Sequence, residues 1–135
     1  YAIADQTRAL LGLSPVTIPI TAAEGEFAAM SSHDALQYLD VVPPSWRNEM
    51  TARVMLALAS YRPIRKVGKL RQPLLIQACM KDTVAPAPAA VKLAQKAPSL
   101  VELKQYAMGH FDIYVGADRE TALADQQDFF GRTLR

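Results

Sequence analysis

Asp82 and His110 are the residues of this 135-residue chain whose type and placement suit acid–base chemistry. Asp82 stands in Lys81-Asp-Thr-Val-Ala-Pro86, just past the apolar run Pro73-Leu-Leu-Ile-Gln-Ala-Cys79. His110 stands in Met108-Gly-His-Phe-Asp112, just past Val101-Glu-Leu-Lys-Gln-Tyr-Ala107. Both runs read as strands and a helix-forming stretch separates them, so the order is strand, acid, helix, strand, histidine. If the strands are adjacent and parallel, both loops emerge at one sheet edge, where a carboxylate can orient an imidazole as general base. Gly109, just before the histidine, suits an unusual backbone turn.

Each of these residues also has a plainer reading. Asp is common in turns, and a loop histidine can bond locally. Asp112 is an alternative acid, but two residues from His110 it is badly placed to meet the ring from behind. His33 falls in the first turn of an expected helix and reads as solvent-exposed. Cys79 ends an apolar strand and reads as a small buried residue rather than a thiol nucleophile. No His, Cys or carboxylate set has metal-ligand spacing, and no dinucleotide or phosphate-loop glycine pattern occurs, so no metal and no cofactor are expected. The serines are Ser14, Ser31, Ser32, Ser45, Ser60 and Ser99. None lies in Gly-x-Ser-x-Gly, the tight strand-to-helix turn that a serine nucleophile needs.

The elements that must position the pair can be read in order. Tyr1–Leu11 reads as a helix stopped by Gly12. Val16–Ile20 is a short extended run that Pro19 confines to an edge or irregular segment. After a loop through Glu24-Gly25-Glu26, a short helix is expected over Ser32–Leu39, capped by Ser31 or Ser32. A longer helix is expected over Trp46–Ser60 with Ser45 as N-cap, burying Trp46, Met50, Val54, Ala57, Leu58 and Tyr61. Leu74–Ile76 suits a strand covered on both faces, and Pro88 opens a helix that runs to Lys96. Val101–Ala107 alternates, as a more exposed strand does. The last helix is expected over Asp118–Thr133, with Arg132 and Arg135 at its C-terminal end and Leu123, Phe130 and Leu134 marking its buried face.

Composition narrows the function. Half the residues are hydrophobic and 21% are charged, with a formal net charge of +2, an ordinary globular profile. Arg62, Arg65, Lys66, Lys69 and Arg71 crowd one connector, but no aromatic residues interleave them for base stacking, so nucleic acid is not expected. No apolar stretch approaches the roughly 20 residues that span a bilayer, so no membrane partner is expected. The single cysteine allows no intrachain disulfide, and a cytoplasmic setting is the default expectation.

Strongly from Tyr61 onward, and loosely before it, the chain resembles the C-terminal portion of an α/β-hydrolase. Pro73-Leu-Leu-Ile followed by Asp82-Thr-Val-Ala-Pro86 is similar to that superfamily's seventh strand and triad acid. Gly109-His-Phe-Asp-Ile-Tyr114, with a helix ending in Phe129-Phe130, is similar to its triad-histidine loop and terminal helix. The stretch from about Ser14 to Tyr61 is similar to a cap inserted after the sixth strand. The resemblance implies an α/β fold with parallel strands flanked by helices. Residues 1–61 would form the helical, cap-like segment and residues 62–135 the strand-helix-strand-helix part of the core.

It also implies a Ser-His-Asp hydrolase acting on a small acyl substrate (ester, thioester or amide). His110 and Asp82 would be catalytic, and the cap residues Phe27, Met30, Trp46 and Met50 would bind substrate. The nucleophile would come from outside this chain. Either the missing N-terminal half or a second copy of the chain would cover the open strand edge, since two strands alone make a poor sheet. The alternative is a non-catalytic binding or regulatory module on the same scaffold.

Overall fold

The structure, a computed structural model, describes residues 1–134. It divides into two compact units, Tyr1–Arg62 and Pro63–Arg135.

In the first unit, helix α1 (Ala2–Leu10) ends before Gly12, whose φ of 67° is the left-handed turn expected of a glycine stop. The extended run reduces to β1 (Thr17–Ile18), paired antiparallel with β2 (Met50–Thr51) in the register Thr17↔Thr51 and Ile18↔Met50. Strand β2 corrects the sequence reading, because the helix expected over Trp46–Ser60 is only α2 (Val54–Ser60). Asn48 explains the difference. Its Oδ1 accepts the N–H groups of Ile20 and Thr21 at 3.0 and 2.9 Å, and its Nδ2 donates to the Thr21 carbonyl at 2.8 Å. A side chain bound to a distant backbone holds its own segment extended, against the helical pattern.

The buried face expected on that helix fails for the same reason. Val54, Leu58 and Tyr61 are exposed, while Ala52 is fully buried. Helix α2 begins where Asp5 permits. The Asp5 carboxylate, completely buried, accepts the Arg53 N–H at 2.9 Å and the Val16 N–H at 2.8 Å, and pairs with the Arg53 guanidinium at 3.4 Å. One side chain on α1 thus holds both the entry to β1 and the start of α2. The helix expected over Ser32–Leu39 is a 3₁₀ helix, His33–Asp40; Ser32 sits at its N-cap without a capping side-chain bond.

In the second unit, two 3₁₀ turns (Pro63–Arg65 and Val67–Lys69) lead to β3 (Leu74–Cys79), α3 (Pro88–Lys96), β4 (Val101–Tyr106) and α4 (Gly116–Thr133). Strands β3 and β4 pair in parallel, from Leu74↔Val101 to Cys79↔Tyr106, with α3 as the crossover. Leu74–Gln77 are half-buried rather than enclosed, and only Ala78 and Cys79 are buried. The open side of β3 is a sheet edge among the described residues.

Strand β4 does not expose its polar side as its alternation suggested. Lys104 pairs with Asp125 of α4 at 3.0 Å, and Glu102 pairs with Arg132 at 2.8 Å. Buried Tyr106 donates to Asp125 at 2.6 Å and accepts from Gln77 at 2.8 Å, while Gln126 donates to Gln77 at 2.6 Å. The seam between sheet and terminal helix is therefore polar. Its register follows, with Ala122 and Phe129 buried and Phe130 and Leu134 exposed, in place of the Leu123, Phe130 and Leu134 face. Arg132 ends the helix as expected, and Arg135 lies outside the described residues.

Candidate active site

The ladder between β3 and β4 runs on past the strands. Met80 N–H donates to the Tyr106 carbonyl at 2.8 Å, and Lys81 N–H donates to the Met108 carbonyl at 3.0 Å. The acid loop and the histidine loop therefore leave the sheet side by side. Asp82 turns inward at once, its N–H donating to the Cys79 carbonyl at 3.2 Å.

From there Asp82 divides its carboxylate. Oδ1 accepts the N–H groups of Val84 and Ala85 at 2.8 and 2.7 Å, and Oδ2 lies 2.6 Å from His110 Nδ1. The turn contacts and the contact to the imidazole that the sequence left as alternatives are both present, one on each oxygen. An ionised carboxylate only accepts, so the short bond places the proton on Nδ1. In that tautomer Nε2 is the acceptor nitrogen. The Asp82 side chain is 9% exposed and that of His110 is 25% exposed, so the bond is shielded while the imidazole still reaches solvent. Phe111, itself buried, stands edge-on to the imidazole with ring centroids 4.6 Å apart.

Asp112, the alternative acid, is turned away to another partner: its Oδ2 accepts the Gly109 N–H at 2.7 Å. Gly109 is not among the left-handed glycines, which are Gly12, Gly25 and Gly116; what it contributes is that N–H. Cys79 is buried beside Tyr106, Met108 and Ala122. Burial, and secondarily the charges of Asp82, Asp112 and Asp118, push its thiol up, away from the thiolate that a nucleophile requires. Ser99 precedes β4 whereas His110 follows it, which puts a strand length of about 20 Å between them.

The remaining candidates lie in the first unit. Phe27 is exposed and stands 5.1 Å from the ring of Tyr1, and Trp46 meets Tyr38 edge-on at 5.3 Å. Met30 bridges to Thr21, and Met50 pairs with Ile18. Each of the four therefore has a different neighbour. Among the described residues, no group of three or more His, Cys, Asp or Glu side chains could hold a metal ion. No helix among them is long and apolar enough to cross a membrane.

Sequence reasoning anticipated a turn role for Asp82 without naming its donors, Val84 and Ala85, and missed the contact of Asp112 with Gly109. The first had a signal, since Asp at the head of a turn accepts from N–H groups two and three residues on. The second had one too: an acid three residues after Gly109 can reach back to its N–H, as in the second leg of a capping box.

The parallel strand pair with its crossover helix and closing helix is part of an α/β-hydrolase fold. Two solved structures share it. One is DcsB in complex with its substrate analogue, with a TM-score of 0.76 and 20% identity, covering 98% of this chain and 48% of that one. The other is the α/β hydrolase GrgF from Penicillium sp. sh18, with a TM-score of 0.71 and 22% identity, covering 98% and 47%. Among curated proteins, the chain is 37% identical over 136 residues to the quorum-quenching protein AidA of Acinetobacter baumannii (strain MDR-ZJ06), across 98% of this chain and 44% of that protein. The chain thus spans about half the length of the relatives it matches. No protein-family model matches it.

Proposed function

We propose that this chain supplies the acid and the general base of a Ser-His-Asp hydrolase whose nucleophile lies outside it. The observation that carries this reading is the 2.6 Å contact between His110 Nδ1 and Asp82 Oδ2, made by loops that leave one end of a parallel strand pair. A serine hydroxyl attacks the acyl carbonyl of an ester, thioester or amide, and its proton passes to His110 Nε2. Asp82 balances the imidazolium charge and keeps the ring in the tautomer that can accept. The tetrahedral intermediate then expels its leaving group, which takes the proton back from Nε2. Water repeats the sequence on the acyl-serine, releasing the acid and restoring the serine.

The apolar side chains Phe27, Met30, Trp46 and Met50 are proposed to contact the acyl or leaving group. The nucleophile and the backbone donors of the oxyanion hole are assigned to the remainder of a complete protein, with a second copy of this chain as the other source. The quorum-quenching role in the name of AidA supports a small signalling molecule as substrate; a cytoplasmic setting is proposed as the default for a chain with a single cysteine. Hydrolysis of a panel of short- and medium-chain acyl esters by the complete protein tests the reading. Turnover that collapses in His110→Ala supports it; turnover near the unsubstituted level in that variant overturns it.

A further inference from the structure

The histidine loop is held at several points, by backbone bonds, by buried side chains and by the Asp112 carboxylate. Upstream, the Met108 carbonyl accepts the Lys81 N–H at 3.0 Å, and Met108 and Phe111 are buried at 8% and 6% exposure. Downstream, the Tyr114 and Val115 N–H groups donate to the carbonyls of Phe111 and Asp112, each at 3.1 Å. Across the middle, the Asp112 carboxylate reaches back over His110 and accepts the Gly109 N–H at 2.7 Å. The backbone bonds survive any substitution that preserves the fold. The Asp112 bond does not, so a single change removes it.

We propose that Asp112 is a positioning residue for His110, closing the loop around the imidazole rather than serving as an acid in the proton transfer. The proposal rests on the reading of His110 as general base. Its physical basis is that Asp82 fixes one nitrogen of the ring but not the backbone that carries it. A loop free at Gly109 lets the imidazole drift relative to a nucleophile, and displacement by about 1 Å is enough to cost about 100-fold in rate.

The test follows the His110 Nδ1–H resonance, moved downfield by its bond to Asp82, in proton NMR spectra of the complete protein, alongside kcat and KM. Asp112→Asn keeps an acceptor oxygen and is expected to keep both the resonance and turnover within a few-fold. Asp112→Ala is expected to lose the resonance to exchange and to lower kcat about 100-fold with little change in KM. An unchanged resonance and kcat in Asp112→Ala would overturn the proposal. So would an Asn variant as impaired as the Ala variant, which would assign the effect to charge. If the Ala variant does not fold, amide exchange at Gly109 in the unsubstituted protein decides: strong protection supports the closure, and exchange at an open-loop rate contradicts it. The resonance and exchange readouts need no turnover, so they stand apart from a failure of the hydrolase reading, which activity surviving in His110→Ala would reveal.

Discussion

Asp82 holds His110 with one carboxylate oxygen and its own loop with the other, Oδ2 lying 2.6 Å from Nδ1 and Oδ1 accepting the Val84 and Ala85 N–H groups at 2.8 and 2.7 Å. The two substitutions that remove its charge therefore differ. Asp82→Asn can keep its carbonyl oxygen on the loop but offers an N–H to Nδ1, which forces the ring into the wrong tautomer. Turnover is expected to fall by up to about 10⁴-fold with the thermal midpoint nearly unchanged. Asp82→Ala removes the loop acceptor as well, so it is expected to lower the thermal midpoint too. Kinetics and thermal melts of the two variants check this.

The polar seam under α4 makes Tyr106 a stability determinant. Tyr106→Phe leaves the Asp125 carboxylate without its 2.6 Å donor and takes one acceptor from Gln77, whose amide still donates to the Ala122 carbonyl at 2.8 Å. A loss of about 1–3 kcal/mol is expected in urea unfolding, because a half-buried polar group loses a partner without gaining water. Loss near zero would show that water replaces the hydroxyl.

Acid is expected to unfold the chain in a defined window. Burial works to raise the Asp5 carboxyl, but backbone donors from Arg53 and Val16 and the charges of Arg53 and Arg8 bring it below the usual range. Hydrogen bonds from Tyr106 and Lys104 lower Asp125. With both depressed in the folded state, the unfolded chain binds more protons, so stability rises with pH through this region. The contribution is complete above the unfolded value of about 4 and is lost as pH falls through the folded values. Thermal midpoints between pH 2 and 6 should fall on acidification, and less steeply in Asp5→Asn and Asp125→Asn.

Cys79 is expected to resist thiol reagents. With its sulfur buried and its thiol raised by burial and nearby acids, labelling of the native protein at pH 8 should lag far behind labelling in denaturant. Equal rates would place Cys79 at the surface.

Legibility tracked how local each determinant is. Gly12, Pro88 and the runs ending at Cys79 and Ala107 act through neighbours a few residues away, and the elements they bound match the structure to within a residue or so. The acid and histidine loops were legible because the pattern strand-acid-helix-strand-histidine fixes where they emerge. The helix expected over Trp46–Ser60 was not, because Asn48 is bonded to Ile20 and Thr21 and Asp5 to Arg53, contacts that no local period records. The face of α4 was misplaced because Asp125 and Gln126 turn inward to polar partners on the strands, where a hydrophobic pattern counts them as solvent-facing.

The most direct test of the account is fluorophosphonate labelling of the complete protein, read by intact mass and peptide mapping. Asp82 and His110 are predicted to activate one serine, which takes a single adduct, at a rate about 10²- to 10⁴-fold lower in His110→Ala. No adduct, or an adduct that forms equally fast without His110, would contradict the assignment of this pair as the acid and base of a serine hydrolase.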